Sequence, residues 1–273
     1  MRCFITIIFI ILALTACKKD ASVYADKSNP YLQTTFIAHK AGGGSNNPFK
    51  ENTLEAAIYS FGILDGIEID IQKSRDGTLW LFHDEIIQDE NGDDKRITGL
   101  KDEEIKNIAK KNGLQLNTLE EILQWKQQTN NSDYISLDIK PWLPTRYSNS
   151  QGYLIKLADE IGKLSVKYNC GAQLLAECEN GICLKRIKEK DPSIQCYLTT
   201  YGDYNKGVYR ALKANLDGIS FKYINQNISK EQIQELHSKG LRIQLWTIND
   251  LAEINIAKDL MPDYIQTDNV LRK

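Results

Sequence analysis

Residues 66–84 read GIEIDIQKSRDGTLWLFHD, and this stretch decides how the chain folds. Glu68 and Asp70 alternate with isoleucines, so on a β-strand of period two both carboxylates point to one face. The turn signal RDGT at 75–78 leads into a short apolar strand that ends at His83. The sequence therefore predicts a hairpin that brings two carboxylates and a histidine together. Such a set suits a hard divalent cation with a proton-transfer group beside it.

The amino terminus resembles the export signal of a bacterial lipoprotein. Residues 4–16 are almost wholly apolar and fall short of the about 20 residues that a membrane span needs. The run LTAC ends at Cys17 and resembles a lipobox, which implies cleavage before Cys17 and lipids on that cysteine. We therefore expect a signal peptide over 1–16, a polar lipidated tether over 17–33, and anchoring in the bacterial cell envelope, periplasmic or at the outer surface. An ordinary signal peptide with an incidental cysteine is the alternative.

The composition of the remaining chain, residues 34–273, is that of an ordinary globular domain. Its length suits one large α/β domain. The whole chain has 34 Lys and Arg against 36 Asp and Glu, and no basic stripe, so no nucleic-acid partner is expected. The later cysteines lack the spacing of a zinc site, and they fit either core packing or one disulfide of undetermined pairing. They are Cys170, Cys178, Cys183 and Cys196.

Strand and helix signals alternate along this domain. Apart from the second strand of the hairpin, eight core strands are separated by seven intervals, each with a helical pattern. This alternation favours a parallel sheet with right-handed crossovers. Eight units in about 240 residues predict an α/β fold, a (β/α)₈ TIM barrel, with a doubly wound open sheet as the alternative. The glycines at 42–44 lack the spacing of a dinucleotide-binding fingerprint.

Ionisable and polar residues gather at the carboxyl ends of these strands. In a barrel those ends meet at one mouth, where catalytic groups lie. Unpaired charges held close together are costly, so a bound cation would offset the repulsion among the carboxylates. For the hairpin alone, a solvated acidic face remains the alternative. The strands end, in order, in His39-Lys40, Glu68-x-Asp70, Asp138-x-Lys140, Glu177, Lys222, Trp246-x-x-Asn249 and Thr267-Asp268.

Taken in order, the motifs resemble those of the glycerophosphodiester phosphodiesterase family. The resemblance runs from about residue 35 to the end of the sequence. It implies a barrel shared with phosphoinositide phospholipases C, and metal-dependent cleavage of a small-molecule phosphodiester into an alcohol and glycerol 3-phosphate. The motifs are His39-Lys40, Glu51-Asn52-Thr53, Glu68-Ile69-Asp70, Asp76-Gly77, His83-Asp84, Asp138-Ile139-Lys140, Trp246-Thr247-Ile248-Asn249 and Thr267-Asp268.

The resemblance also implies roles for the residues at the centre of the site. It implies that one divalent cation, Ca²⁺ or Mg²⁺, is bound by Glu68, Asp70 and Asp138, because oxygen ligands suit hard ions. It implies that His39 and His83 act as general base and general acid on opposite sides of the phosphorus. Histidine can hold either protonation state near neutral pH, which both tasks require.

Four more residues are implied to contact the substrate or to lie near it. Lys40 and Lys140 would bind the phosphate, although Lys140 could also be a solvated strand end. Glu51 would lie near the metal or orient the basic residue. Trp246 would form an apolar wall of the mouth, and a core position for this tryptophan remains open.

Two residues depart from the pattern of the family. Lys40 stands where arginine usually follows the first histidine, and lysine offers a point charge instead of a planar fork. Asp138 stands where glutamate usually supplies the third carboxylate, and its side chain is one methylene shorter. Neither change removes a charge, so we expect activity to survive.

Three functions are compatible with this pattern. The first is hydrolysis of glycerophosphodiesters. The second is phospholipase C- or D-like cleavage of intact membrane lipid, which a lipid anchor would favour. The third is a non-catalytic surface protein that binds phosphorylated ligands. Two histidines beside the carboxylates argue against the third, because binding alone needs no acid and base.

Overall fold

In the computed structural model, the fold is described for residues 34–43, 47–143, 150–201, 203–224 and 227–270. The signal peptide and tether expected over 1–16 and 17–33, with Cys17, lie outside these residues. Among the helices that are described, none combines the length and the apolar character needed to cross a bilayer.

Eight parallel strands close into a barrel. The strand β1 pairs with β2 on one side and with β11 on the other, and β6 to β10 complete the ring in chain order. The predicted TIM barrel is therefore confirmed, and the open-sheet alternative is wrong. The strands are β1 Thr35–Ala38, β2 Gly66–Lys73, β3 Leu79–Leu81, β4 Ile87–Gln88, β5 Asp94–Lys95, β6 Tyr134–Ile139, β7 Leu174–Cys178, β8 Gln195–Thr200, β9 Gly218–Lys222, β10 Arg242–Trp246 and β11 Tyr264–Thr267.

Helices cover the outside of the barrel, and several begin at a side chain that caps them. Thr118 and Ser229 each accept a hydrogen bond from a backbone N–H in the first helical turn and form complete capping boxes. The described α-helices are α1 Leu54–Phe61, α2 Asp102–Lys111, α3 Leu119–Thr129, α4 Ser150–Tyr168, α5 Gly181–Lys190, α6 Tyr204–Lys213, α7 Lys230–Ser238 and α8 Leu251–Asp259.

The hairpin of β2 and β3 forms as its sequence predicts. The two strands pair antiparallel, and Gly77 in the turn has a φ of 106°, a conformation that glycine adopts without strain. Every residue of β2 is buried, because its isoleucines face the helices while its carboxylates face the barrel interior. Glu68 and Asp70 are each only 1% exposed, so the alternative of a solvated acidic face is wrong.

The interior of the barrel changes character along its axis. Near the amino ends of the strands, Ile37, Leu175, Tyr197 and Tyr264 form a small apolar cluster. Polar and ionisable residues fill the levels above it, towards the mouth. The larger core lies between the strands and the surrounding helices. The four cysteines of this domain are free, buried thiols, which agrees with core packing.

Candidate active site

Three carboxylates meet at the mouth of the barrel. Oxygen atoms of Glu68, Asp70 and Asp138 lie within 4.8 Å of one another. They meet because β2 and β6 are adjacent and parallel, with Asp70 opposite Asp138 in the register. Asp138 is the most accessible of the three, with 29% of its side chain exposed. The fold thus brings the predicted metal ligands together.

Burial and mutual repulsion shift the titration of this cluster. Burial, with the nearby charges of Asp70 and Asp138, raises the pKa of Glu68 well above its usual range. Burial also raises the pKa of Asp138 to about 7. For Asp70, burial acts to raise the pKa, but Lys140, His83 and Asn52 together outweigh it and the net shift is downward. The site therefore concentrates negative charge in a place where water cannot fully solvate it.

The residues present fit a divalent cation. The Oε1 atom of Glu68 is buried and has no hydrogen-bond partner among the residues that the structure describes. A buried carboxylate oxygen without a partner is costly, and a cation would satisfy it. The donor set is all carboxylate oxygen, which suits Ca²⁺ or Mg²⁺ better than a soft metal.

Lys140 lies among the carboxylates. Its Nζ is 2.9 Å from Oδ1 of Asp70 and 2.6 Å from Oδ2 of Asp138. Burial acts to lower the pKa of Lys140, but these two acids raise it above its ordinary range. The alternative of a solvated strand end is wrong, since only 15% of the side chain is exposed. Its ammonium partly neutralises the cluster.

His39 follows β1, and a carboxylate is hydrogen-bonded to the Nδ1 atom of its ring. Its Nδ1 lies 2.6 Å from Oδ1 of Asp268, and its Nε2 lies 3.8 Å from Oε2 of Glu68. Two hydrogen bonds join Asn249 to Asp268. The Nδ2 of Asn249 donates to Oδ2 of Asp268 at 2.5 Å, and the backbone N–H of Asp268 donates to Oδ1 of Asn249 at 2.8 Å. Burial acts to raise the pKa of Asp268, but the hydrogen bond with His39 lowers it overall. An Nδ1–H donated to Asp268 leaves Nε2 free to accept a proton on the side of the three carboxylates.

Lys40 is held in a left-handed backbone conformation next to His39. Its φ is 51° and its ψ is 40°, values that cost energy for a residue with a side chain. Its backbone N–H donates to Oε2 of Glu68 at 2.7 Å, and its carbonyl accepts from the backbone N–H of Asn52 at 3.0 Å. Its Nζ lies 3.6 Å from Oε2 of Glu51. These contacts orient both His39 and the Lys40 ammonium.

His83 stands on the loop after β3, and main-chain contacts fix that loop. The buried amide of Gln72 donates to the carbonyls of Phe82 and Asp84, each at 2.8 Å. The indole N–H of Trp142 donates to the carbonyl of His83 at 3.0 Å. The loop is thus held without any direct bond to the imidazole ring from these residues.

The ring of His83 lies in the field of Asp70. The backbone N–H of Phe82 donates to the carbonyl of Asp70 at 3.0 Å, which places the next residue, His83, close to Asp70. Its Nδ1 is 2.8 Å from Oδ1 of Asp84, and the two side chains are 38% and 72% exposed. One histidine therefore lies beside Glu68 and the other near Asp70, as acid–base catalysis at a shared centre requires.

An aromatic pair forms one wall of the mouth. The ring of Trp246, at the end of β10, packs edge-to-face against Tyr201, with ring centroids 5.6 Å apart. Lys222 lies over the same indole, with its Nζ 5.9 Å from the ring centroid. Trp246 is partly buried, and its indole N–H has no partner within the described part of the chain. Tyr201 is 59% exposed and could contact a ligand.

Asn52 and Tyr201 were assigned no role from sequence, and the contact of Asp268 with His39 was not predicted. Asn52 bonds twice to Asp70, through its Nδ2 at 2.8 Å and its Oδ1 at 2.9 Å. Asn52, Asp268 and Asn249 all belong to the motifs, and their polar side chains beside strand ends were the available signal. Tyr201 follows β8 in a stretch without any motif, so no sequence signal pointed to it.

The comparisons agree with this geometry. The chain matches the model of the Glycerophosphoryl diester phosphodiesterase family over residues 39–272. It is 25% identical over 227 residues to the glycerophosphodiester phosphodiesterase of Caldanaerobacter subterraneus subsp. tengcongensis, covering 80% of this chain and 87% of that one.

Solved structures show the same fold. A glycerophosphodiester phosphodiesterase from Parabacteroides distasonis matches with a TM-score of 0.69 and 18% identity, over 86% of this chain and 92% of that one. A phosphodiesterase from Oleispira antarctica, solved with the product sn-glycerol-3-phosphate, matches with a TM-score of 0.68 and 20% identity, over 87% of this chain and 94% of that one. Because the family model spans most of the sequence, this chain belongs to the glycerophosphoryl diester phosphodiesterase family.

Proposed function

We propose that this phosphoric diester hydrolase cleaves glycerophosphodiesters into an alcohol and glycerol 3-phosphate, using a divalent cation and two histidines. The observation that carries the proposal is the mouth itself, where three carboxylates are accompanied by His39, which Asp268 contacts at Nδ1, and by His83, which follows a residue bonded to the Asp70 backbone. The Oleispira antarctica relative, which was solved with glycerol 3-phosphate, supports the choice of product.

Glu68, Asp70 and Asp138 would hold the cation. When bound, such a cation polarises a phosphoryl oxygen and neutralises charge that develops in the transition state. Both Ca²⁺ and Mg²⁺ accept carboxylate oxygens, and Ca²⁺ tolerates less regular geometry than Mg²⁺ does. Lys140 keeps two of these carboxylates in place, through the contacts of 2.9 and 2.6 Å.

His39 is suited to act as the general base. Its Nε2 faces the metal cluster, and it can take a proton from the attacking hydroxyl or water. The carboxylate of Asp268 then stabilises the imidazolium that forms. Lys40, oriented by Glu51, adds a positive charge next to this base, and that charge would attract the phosphate of the substrate.

His83 is suited to act as the general acid. A leaving alkoxide needs a proton, and an imidazolium beside the cluster can supply it. Its exposure of 38% lets the ring regain a proton from solvent after each turnover. Trp246 and Tyr201 would contact the apolar part of the substrate.

A direct test measures glycerol 3-phosphate release from glycerophosphocholine, glycerophosphoethanolamine and glycerophosphoglycerol. We expect release that stops with a chelator and returns with Ca²⁺ or Mg²⁺, and a severe loss in Asp138→Asn. The exposed Asp94 of β5 offers a matched control, since Asp94→Asn removes the same charge away from the site. No glycerol 3-phosphate from any of the three diesters, or an unchanged rate in chelator, would refute the proposal.

Cleavage of intact lipid is the second candidate. It is favoured by the lipobox-like run ending at Cys17, and by exposed apolar side chains on the face of the mouth, among them Phe49 and Leu251. Product analysis by ³¹P NMR on phospholipid vesicles separates the candidates. A phosphorylated head group, phosphatidic acid or a cyclic phosphate would identify cleavage of lipid.

We also propose that Cys17 anchors the protein in the bacterial cell envelope. The support is the apolar run over 4–16 and the small residues that precede the cysteine. Metabolic labelling with a palmitate analogue should mark the wild type and leave Cys17→Ser unmarked. Labelling of both proteins, or of neither, would refute the anchor.

A further inference from the structure

A layer of buried polar side chains lies inside the barrel beneath the three carboxylates. At this depth a TIM barrel is normally filled by branched apolar residues. Each member of the layer is at most 3% exposed, and one of them is an acid. We refer to it as the buried polar layer, and its members are Ser136, Glu177, Ser220, Gln244 and Gln266.

Glu177 is the centre of this layer and accepts hydrogen bonds from three of its members. Ser136 donates to its Oε1 at 2.9 Å, and Gln266 donates to the same atom at 2.6 Å. Ser220 donates to its Oε2. Gln244 donates to Ser220 at 3.2 Å, which leaves the hydroxyl hydrogen of Ser220 directed at Glu177.

Glu177 has no basic partner within ion-pair distance among the described residues. It stands opposite Asp138 in the register of β6 and β7. Residues paired in register on adjacent strands point to the same face of the sheet, so the Glu177 carboxylate lies next to that of Asp138 and its charge acts on the cluster. Glu177 is therefore a fourth carboxylate, adjacent to the cluster of three.

The fold does not require a charge at this position. A glutamine of the same size could fill the space and keep most of the hydrogen bonds without repelling the carboxylates above. A charge that adds repulsion in the core is typical of a residue that serves function at the expense of stability. We propose that Glu177 is a positioning residue whose fixed negative charge strengthens the binding of a divalent cation by Glu68, Asp70 and Asp138.

The sign of this effect follows from Coulomb's law. The negative potential of Glu177 attracts a dication twice as strongly as it attracts a proton at the same place. Even where Glu177 favours protonation of a ligand carboxylate, the cation gains more than the competing proton does. The inference rests on the proposed metal-dependent function, and it concerns affinity for the ion instead of the chemical step.

The test is direct titration of the metal-free protein with Ca²⁺ and with Mg²⁺, by calorimetry or against a fluorescent chelator. For Glu177→Gln we expect the Kd to rise about tenfold or more, the range seen when groups behind metal ligands are changed. Glu189→Gln is the matched control. Glu189 is exposed near the far end of α5, paired with Arg186 at 3.2 Å, and we expect its loss to leave the Kd unchanged.

Glu177→Asp separates charge from structure. Aspartate keeps the charge but is too short to keep all three hydrogen bonds, whereas glutamine keeps the length and loses the charge. The inference therefore predicts metal affinity close to that of the wild type for Asp and a weaker affinity for Gln. A merely structural role predicts the reverse order. If the Gln variant does not fold, Glu177→Met makes the same loss of charge and is judged by the same criteria.

An unchanged Kd in a folded, neutral variant would overturn the inference and leave the proposed function standing. An equal loss of affinity in the Asp and Gln variants would also overturn it. If the wild type binds neither Ca²⁺ nor Mg²⁺, the proposed metal site fails, and this inference fails with it.

Discussion

The two histidines of the mouth are held in different ways. His39 is 22% exposed, and its ring is fixed by Asp268, which Asn249 fixes in turn. His83 is 38% exposed, and its side-chain partner Asp84 is itself largely in solvent. The loop of His83 is held through carbonyl groups instead, so its backbone is fixed while its ring is less constrained.

The difference matches what each proposed role requires. A general base must present one chosen nitrogen to the attacking group, and the carboxylate of the half-buried Asp268 on the other nitrogen selects it. A general acid must meet a leaving group and then recover a proton from water, for which an exposed ring is suited. The comparison therefore predicts that substitutions of the two histidines, and of their carboxylate partners, change kcat by different amounts.

The largest effect is expected from removing either imidazole. On a diester with an alkyl leaving group, His39→Ala and His83→Ala should each lower kcat by about 10²- to 10⁴-fold. On bis(p-nitrophenyl) phosphate the loss in His83→Ala should be much smaller, because nitrophenolate leaves without a proton. The loss in His39→Ala should stay the same on both substrates. Steady-state rates on the two substrates give the comparison.

The third histidine supplies the control for that experiment. His237, on α7, pairs with Asp263 at 2.9 Å, just before the amino end of β11. His237→Gln should leave both rates unchanged. Equal losses on both substrates for His83→Ala would remove the general acid role from His83. A loss confined to the alkyl diester in His39→Ala would exchange the two assignments.

A smaller effect is expected from the carboxylates behind the rings. Asp268→Asn should lower kcat by at least about 10-fold, because an amide can turn its NH₂ group towards Nδ1 and favour the wrong tautomer. Asp84→Asn should change kcat little, since water can replace a side chain that is 72% exposed. Both variants remove one acid, so each is the control for the other. Similar losses in the two would contradict the difference drawn between the histidines.

The sequence predicts the part of this comparison that depends on nearby residues. The alternation in 66–72 and the turn at 75–78 were enough to predict the hairpin, and with it the positions of Glu68, Asp70 and His83. The eight strand–helix units were enough for the barrel, because parallel strands joined by helices have few ways to close. Bringing Asp138 to the same mouth then followed from the fold.

Contacts between distant parts of the chain were beyond such reasoning. Asp268 contacts His39 across 229 positions of sequence, and its place at the end of the last strand does not reveal this contact. The burial of Glu177 depends on donors from three other strands, and a strand that ends in an acid does not reveal them. Lys140 looked like a phosphate ligand or a solvated residue, and its pairing with two carboxylates requires the actual spacing of β2 and β6.

The smallest effect concerns the stability of the metal-free protein, and it contrasts the acids that lie beside the two histidines. On the side of His39, burial raises the pKa of Glu68, so folding favours its protonated form. This preference adds to the free energy of unfolding. The addition is fully present below the pKa of Glu68 in the unfolded chain, and it is lost as the pH rises from that value through the higher pKa in the folded protein. On the side of His83, Lys140 lowers the pKa of Asp70 against the effect of burial. That contribution is present at neutral pH and is lost only below the usual carboxylate range.

Thermal unfolding in chelator between about pH 5 and pH 8 measures this contrast. The Tm of Glu68→Gln should rise relative to that of the wild type as the pH rises. Ionisation of the buried Glu68 carboxyl group destabilises the wild type at higher pH, and glutamine does not ionise. Asp70→Asn should be less stable than the wild type by a nearly constant amount, since Asp70 stays ionised throughout. One unit of pKa corresponds to about 1.4 kcal/mol, and each kcal/mol to roughly 2–4 °C in a domain of this size. A Tm difference for Glu68→Gln that does not change with pH would show that the negative charge of the mouth is not concentrated beside His39.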